Sequence, residues 1–357
     1  MSALKNISLF HFKNYEQQSF LFEKEVVCLI GKNGVGKTSI LDAIYYLCFT
    51  KSYFVSNDLH CIKNGTQGMF IKGVFDDEIE VKCIIRENGK KEFSCDEEVY
   101  SKLSSHIGKY SCVIIAPDDT QLITEGSELR RKFLDGIIAQ IDPEYLQHIS
   151  SYAKLLVQRN AYLKSCKGEI PTDLTLLNLY NAQLNNHAEP IVAKRNVFVQ
   201  KLIEEATTIY QVIANDIEEI KIEYDSKLLQ QPLLNLLEIN LFKDVITART
   251  NYGIHKDDLV FTMNGMPLKQ VASQGQRKSF LFALKLAQYH LINNHQAQKP
   301  ILLLDDIFEK LDESRSEKLI QYVKGLNTQI FITDTQKHRV QKEFKEFEQD
   351  LQFIEIL

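Results

Sequence analysis

Proline and glycine are scarce in this chain. Its 357 residues include seven of the first and fifteen of the second, with no Ser/Gly-rich or low-complexity stretch. Such a composition excludes a largely disordered protein and predicts a chain that folds from end to end. No apolar run approaches the roughly 20 residues that a membrane-spanning helix needs. The N-terminus has no basic region followed by an apolar one, so no secretion signal is expected, and a soluble cytoplasmic protein without a membrane partner is predicted. Excess positive charge is also missing. Forty-two Lys and Arg against 47 Asp and Glu give a net charge of −5, which excludes a surface that is basic throughout but permits one basic face. None of the seven cysteines stands in a CxxC pair, so neither a zinc site nor a redox couple is indicated. Cys28 lies inside the apolar run Val26–Ile30, as expected of a buried, reduced thiol.

At 44% hydrophobic residues, the length suffices for one large domain or two ordinary ones. Residues 4–12 alternate loosely as a strand, and Val26–Ile30 reads as a buried strand. Residues 38–49 carry an apolar stripe at helical spacing, with Ile40, Leu41, Ile44 and Leu47 on it. Strand alternation occupies 69–95, with a hairpin turn at Asn88-Gly89, and 111–116 forms another strand. From 120 to 216 the pattern is mostly helical, and Asp142-Pro143-Glu144 is a helix start by capping, proline placement and charge. No long heptad run is present, so an extended coiled coil is not expected. Strand signals return at 217–224, a hairpin at Asn264-Gly265, a helix over 275–293, and strands at 301–304 and 329–333. The predicted class is α/β: a discontinuous head domain of residues 1–117 and 245–357, interrupted by a helical insert at 118–244.

Three motifs carry chemistry. Gly31-Lys32-Asn33-Gly34-Val35-Gly36-Lys37-Thr38 fits G-x-x-x-x-G-K-[ST] at each fixed position. The glycines let backbone N–H groups point at phosphate oxygens, and the following helix adds its positive end. Lys37 places a charge on the β- and γ-phosphates, and Thr38 suits a Mg²⁺ ligand. The second motif, Ile301–Asp306, ends an apolar strand in two carboxylates at the ligand-binding edge of a parallel sheet. Asp305 is expected to hold Mg²⁺, and Asp306 to orient or deprotonate the attacking water. The third, Ser273-Gln274-Gly275-Gln276-Arg277-Lys278, opens a helix whose N-terminus can receive phosphate oxygens.

A phosphate loop, a helical insert, a Ser-x-Gly-Gln signature and an acidic strand, in that order, resemble the ABC/SMC-type P-loop ATPase heads, and among them the RecF family. The similarity runs along nearly the whole chain. It includes Phe12-Lys13-Asn14-Tyr15, the double-arginine segment Leu129–Asp135, Arg159-Asn160 with Leu163, Gly253–Asp258, Ser273–Arg277, and residues 302–312. Ile254 and Lys256 stand where the family usually has Pro and Arg, and a lysine lacks the planar fork for a bidentate contact.

The resemblance implies an ATP-driven homodimer with slow hydrolysis, in which Ser273 and Gly275 of one subunit close over the ATP held by the phosphate loop of the other. Asp312 then corresponds to a dimer-loop acid facing the partner. It also implies binding to DNA where duplex meets a single-strand gap, and work with RecO and RecR. Asp118 falls where related heads carry a glutamine near the metal. Arg130, Arg131 and Lys132 admit two readings, a DNA-phosphate contact and a salt-bridged helix face. Lys13 and Asn14 likewise read as nucleotide neighbours or as a strand-end turn, and His255 as a structural histidine. The competing identity is another SMC-like ATPase without a role at gaps. A transporter ATPase is disfavoured because Thr333-Asp334-Thr335, rather than a histidine, follows the last strand. A fused nuclease is disfavoured by the lack of a further acidic cluster.

Overall fold

The computed structural model describes residues 3–76, 78–214, 218–307, 313–344 and 350–357. They form two units. The first comprises residues 1–120, 208–217 and 273–357, and the second 121–207 and 218–272.

Two sheets build the first unit. The antiparallel sheet contains β1 (Leu4–Phe10), β2 (Gln17–Leu21), β4 (Gly68–Phe75), β5 (Glu80–Arg86), β6 (Lys91–Cys95) and β7 (Glu98–Val99), ordered β2-β1-β4-β5-β6-β7. Its period-2 alternation sends Ile7, Leu9, Ile71, Val81 and Cys83 into the core, the pattern of a sheet with one buried face. The second sheet is parallel throughout and ordered β14-β3-β13-β12-β8. Its strands are β3 (Val26–Ile30), β8 (Cys112–Ile115), β12 (Ile301–Leu304), β13 (Ile330–Asp334) and β14 (Leu351–Glu355). Strands covered on both faces need no polar side, hence the unbroken apolar runs Val-Val-Cys-Leu-Ile in β3 and Ile-Leu-Leu-Leu in β12.

Between β3 and β4 runs α1 (Lys37–Phe49), buried on almost every side. The sequence predicts one apolar stripe here. In the structure, Ile44 and Leu47 join a single core cluster with Leu9 and Ile71 of the antiparallel sheet and Leu29 of the parallel one. A helix enclosed in this way has little solvent face to keep polar. Among the described residues the unit also holds α9 (Gln274–Asn293), α10 (Glu313–Lys324), α11 (Lys337–Glu343) and the end of the helix that finishes at Ala214.

The second unit holds α2 (Gln121–Thr124), α3 (Ser127–Ile141), α4 (Pro143–Ser165), α6 (Leu233–Ile239), α7 (Leu241–Thr247), α8 (Leu268–Val271) and most of α5 (Thr175–Ala214). Asp142 caps α4 by accepting from Tyr145 N at 3.0 Å, with Pro143 following it. At 40 residues, α5 is longer than the interrupted pattern predicts, and it continues through Pro190. The buried series Leu184, Ala188, Ile191, Val199 and Leu202 along one face offsets the backbone hydrogen bond a proline removes, each large side chain contributing about 1.5–3 kcal/mol.

The unit is not wholly helical. β9 (Ile220–Asp225) pairs antiparallel with β10 (Asp258–Met263), which pairs in turn with β11 (Met266–Pro267). Residues on both sides of 244, where the sequence places the end of the insert, therefore share one sheet, and the unit continues to Ala272. Asn264 and Gly265 take φ of 50° and 76°, the paired positive values that a two-residue hairpin turn requires.

Candidate nucleotide-binding site

The C-terminal ends of the five parallel strands lie along one sheet edge, where the phosphate loop leaves β3 and the acidic pair leaves β12. After β3, Gly34 and Gly36 take φ of 83° and 113°, left-handed backbone that glycine adopts without steric cost. A Cβ on Gly36 would fall 2.5 Å from Asn14 Nδ2 and 2.8 Å from the Tyr15 hydroxyl, so glycine is required there by space as well as by conformation. Lys32, Asn33 and Gly34 are exposed at the tip, while Val35 packs on the core. Lys37 is buried, and its ammonium donates to the carbonyls of Gly31 (2.8 Å) and Lys32 (2.9 Å). The loop borders a cleft of about 410 Å³, lined by Asn33, Gly34, Gly36, Lys37 and Thr38, by Lys13 and Asn14 from the turn after β1, and by Asp306.

Asp305 and Asp306 follow β12. Thr38 Oγ1 lies 3.0 Å from each Asp305 carboxylate oxygen, and Thr333 Oγ1 donates to Asp305 Oδ1 at 2.7 Å. Burial is the main cause lifting the Asp305 carboxyl above its ordinary range. The Asp306 charge adds to this, and the hydroxyls of Thr333 and Thr38 oppose it, as does Lys37. A threonine hydroxyl and a buried carboxylate are hard oxygen donors. They fit Mg²⁺, which takes one or two protein ligands and fills its other positions with water and phosphate oxygens. Among the described residues no group of three or more His, Cys, Asp or Glu side chains forms a metal cage. Asp306 is half-buried, lines the cleft and has φ of 44°. Its backbone N–H donates to Thr333 Oγ1 at 2.9 Å.

Ser273 caps α9 in a capping box: its hydroxyl accepts from Gln276 N (3.2 Å), and Gln276 Oε1 accepts from Ser273 N (2.7 Å). Ser273 is exposed, and a Cβ on Gly275 would meet only Arg315, at 3.8 Å. Neither lines the cleft that holds the phosphate loop. The fold thus brings together Gly31–Thr38, Asp305 and Asp306, and leaves Ser273 and Gly275 apart from that cleft. Asp312 lies outside the described residues.

Asp118 is exposed, whereas Asp119 is buried; it pairs with Lys285 of α9 at 3.2 Å and bonds the Tyr53 hydroxyl. Lys13 meets the fully buried Asp42 of α1 at 2.6 Å. Both ion pairs escape sequence reading, because their members lie 29 to 166 positions apart.

In the second unit the remaining motifs form one polar network. Arg130 makes a forked pair with Asp258 (2.7 and 3.0 Å) and donates to the carbonyls of Leu122 and Glu125. Arg131 donates to Asp257 O and Ser127 Oγ, and Lys132 pairs with Glu128. These bonds and ion pairs are those of a salt-bridged helix face. Arg159 reaches Asp244, Thr250 and Asn181, and Asn160 accepts from Thr250. His255 bonds Tyr152 and the Thr250 carbonyl, a structural role. Burial depresses its pKa to about 4. Ile254, standing in the place of the usual proline, is buried, and Lys256 is exposed. At the centre is Arg195, nearly fully buried, which joins Asp135, Asp257, the Tyr145 hydroxyl and Ile254 O. Its signal in the sequence is an arginine on the apolar stripe Ala188, Ile191, Val199, Leu202.

A phosphate loop after β3, an acidic pair after β12 and a serine-capped α9 on a parallel sheet define an ATPase head of the ABC/SMC class. The RecF/RecN/SMC N-terminal domain model matches residues 3–349. Within that class the chain belongs to the RecF family. It is 42% identical to the DNA replication and repair protein RecF of Flavobacterium johnsoniae, covering 95% of each chain. To its namesake in Cytophaga hutchinsonii it is 39% identical, over 94% of this chain and 90% of that one. A solved structure of the recombination mediator protein RecF-ATPrS in the RecFOR pathway superposes with a TM-score of 0.87 at 27% identity, covering 99% and 96% of the two chains. The Smc head of Pyrococcus furiosus bound to the C-terminal domain of ScpA shares the fold, with a TM-score of 0.55 at 17% identity over 94% and 90% of the chains. No helix among the described residues is long and apolar enough to cross a membrane.

Proposed function

We propose that the protein is a cytoplasmic, ATP-gated DNA-binding protein of recombinational repair and replication restart. It closes as a homodimer on DNA where duplex meets a single-strand gap, and works with RecO and RecR. The observation that carries this reading is the split of the site. The phosphate loop, Thr38 and Asp306 line one cleft and Asp305 is bonded to Thr38 beside it, whereas Ser273 and Gly275 present a capped helix start that does not line it. A second copy can supply what one chain lacks. The similar proteins named above add support: the two relatives carry the name DNA replication and repair protein RecF, and the solved structure is described as RecF-ATPrS in the RecFOR pathway.

In this reading the backbone N–H groups of Gly34, Val35 and Gly36 and the ammonium of Lys37 hold the β- and γ-phosphates of ATP. Lys32 and Asn33 flank them at the loop tip. Lys37 then exchanges its two backbone carbonyls for phosphate oxygens. Thr38 and Asp305 hold Mg²⁺, which when bound neutralises charge on the phosphates. Asp306, on the cleft wall, orients a water and accepts its proton as the water attacks the γ-phosphorus and the bond to the bridging oxygen breaks. Ser273 and Gly275 of the partner copy contact the γ-phosphate, so ATP links the two subunits and its hydrolysis releases them. Turnover is slow, as suits a clamp.

Gel-shift titration on gapped and blunt duplex DNA, with and without ATP, tests this reading. It predicts tighter binding to the gapped substrate, strengthening with ATP and a steep fall with salt. Binding to gapped and blunt DNA alike, with no response to ATP, favours the other reading, an SMC-like ATPase without a role at gaps.

A further inference from the structure

The turn Phe12-Lys13-Asn14-Tyr15 is not used by the mechanism above, yet it is built against the phosphate loop. Asn14 Nδ2 donates to Val35 O at 3.0 Å, and the Tyr15 hydroxyl donates to Gly36 O at 3.2 Å. The turn itself is pinned. Lys13 N donates to Cys61 O, Lys63 N to His11 O, and Phe12 forms a bridge with Ile62. His11 and Lys13 take φ of 51° and 52°, which non-glycine residues adopt only where the surroundings hold them. Lys13 is tied to Asp42 of α1 by its ion pair.

The geometry points to Asn14 and Tyr15 as positioning residues that set the peptide orientation of the phosphate loop. A peptide unit is planar and trans, so its C=O and the following N–H point in opposite directions. The Val35 carbonyl and the Gly36 N–H belong to one such plane, as do the Gly36 carbonyl and the Lys37 N–H. Holding the two carbonyls on the Asn14–Tyr15 side aims the two N–H groups the other way, at the phosphates. Gly36 most needs this control, because at φ of 113° it lacks the side chain that would otherwise restrict its neighbouring peptides. The two holds differ in strength. Gly36 O also accepts from Ser39 N and Ile40 N at the start of α1, so Tyr15 reinforces a carbonyl already fixed. Asn14 acts on the Val35 carbonyl, outside the helix, and has the larger effect.

This inference rests on the nucleotide-binding reading, and its test separates the two. Asn14→Ala, Asn14→Asp, Tyr15→Phe and the double variant Asn14→Ala/Tyr15→Phe are compared with wild type and Lys37→Met. Each is titrated with a fluorescent ADP analogue and a fluorescent ATP analogue, and the nucleotide-free melting temperature is recorded. If wild type fails to bind, the nucleotide reading itself is lost. If wild type binds and Lys37→Met does not, the inference predicts that Asn14→Ala weakens both nucleotides by about 3- to 10-fold, the worth of one neutral hydrogen bond. Asn14→Asp, which sets a carboxylate against the Val35 carbonyl, weakens them further. Tyr15→Phe has a smaller effect, and the double variant loses less than the product of the single losses, because both residues act on the Val35–Lys37 backbone. Melting temperatures of the nucleotide-free variants stay near wild type. Wild-type affinity in both Asn14 variants overturns the inference. So does strict additivity in the double variant, which assigns Asn14 to direct contact with the nucleotide, and so does a melting-temperature loss without an affinity loss, which assigns the turn to stability alone.

Discussion

Asp306 combines a carboxylate on the cleft wall with a left-handed backbone, φ 44°. Aspartate and asparagine are the side chains that visit this region most readily, because their short polar groups bond locally. The backbone is held there by the Asp306 N–H bond to Thr333, so the side chain can be changed without moving the chain. Asp306→Asn keeps the shape and the conformation but cannot accept a proton from water. It is expected to bind ATP with near wild-type affinity and to lower steady-state phosphate release by about 10²–10⁴-fold, the usual share of general base catalysis. Phosphate release at the wild-type rate would remove Asp306 from the proton-transfer role. At this scale the phosphate loop and the acidic pair were legible in the sequence, because each is a short local pattern whose spacing is the chemistry. The Lys13–Asp42 and Lys285–Asp119 pairs were not, since they depend on strands and helices far apart in the chain.

Single elements in the second unit depend on buried charge. Arg195 projects from α5 to Asp135 on α3, to Tyr145 on α4 and to Asp257 before β10. Removing one member of a buried pair leaves the others charged and unpaired, at a cost of about 3–5 kcal/mol. Arg195→Met should therefore lower the stability of the unit by about that amount in denaturant titration. A loss under about 1 kcal/mol would show that this network contributes little net stability. The start of α4 was readable from its cap at Asp142-Pro143, and the β10–β11 hairpin from its turn at Asn264-Gly265. The role of Arg130 was not, because an exposed and a forked, half-buried arginine have the same sequence signature.

The histidines give both units a pH dependence of known sign. His106 is fully buried, with its ring bonded to Leu47 O and the Tyr100 hydroxyl, and burial lowers its pKa to about 4. His255 in the second unit is also lowered to about 4. Between the unfolded value, near 6.5, and the folded one, the unfolded chain binds more protons. Stability is thus complete above about pH 6.5 and is lost as pH falls toward 4, by on the order of 3 kcal/mol for His106. Melting temperature should fall steadily from pH 7 to pH 5, and His106→Gln should flatten that slope. A wild-type melting temperature that is constant over this range would contradict buried, neutral histidines.

At the scale of the whole molecule, the order of motifs along the chain was enough to indicate the ATPase head, and 42% identity to a RecF places the chain in its family. The boundary of the insert was less legible: the β9–β10 pairing that carries the second unit to Ala272 joins strands more than 30 positions apart. The proposed function requires a site shared between two copies. Lys37→Met removes the phosphate grip of a protomer and leaves its Ser273 helix start intact, while Ser273→Arg does the reverse. Each variant alone has no complete site. A mixed dimer has one, formed by the phosphate loop of the Ser273→Arg protomer and the signature of the Lys37→Met protomer. The most direct test is therefore ATP hydrolysis measured for each variant alone and for an equimolar mixture. A shared site gives near-background rates for each alone and recovery in the mixture, up to about a quarter of the wild-type rate if protomers pair at random and sites act independently. A mixture no more active than its components would contradict a site completed in trans.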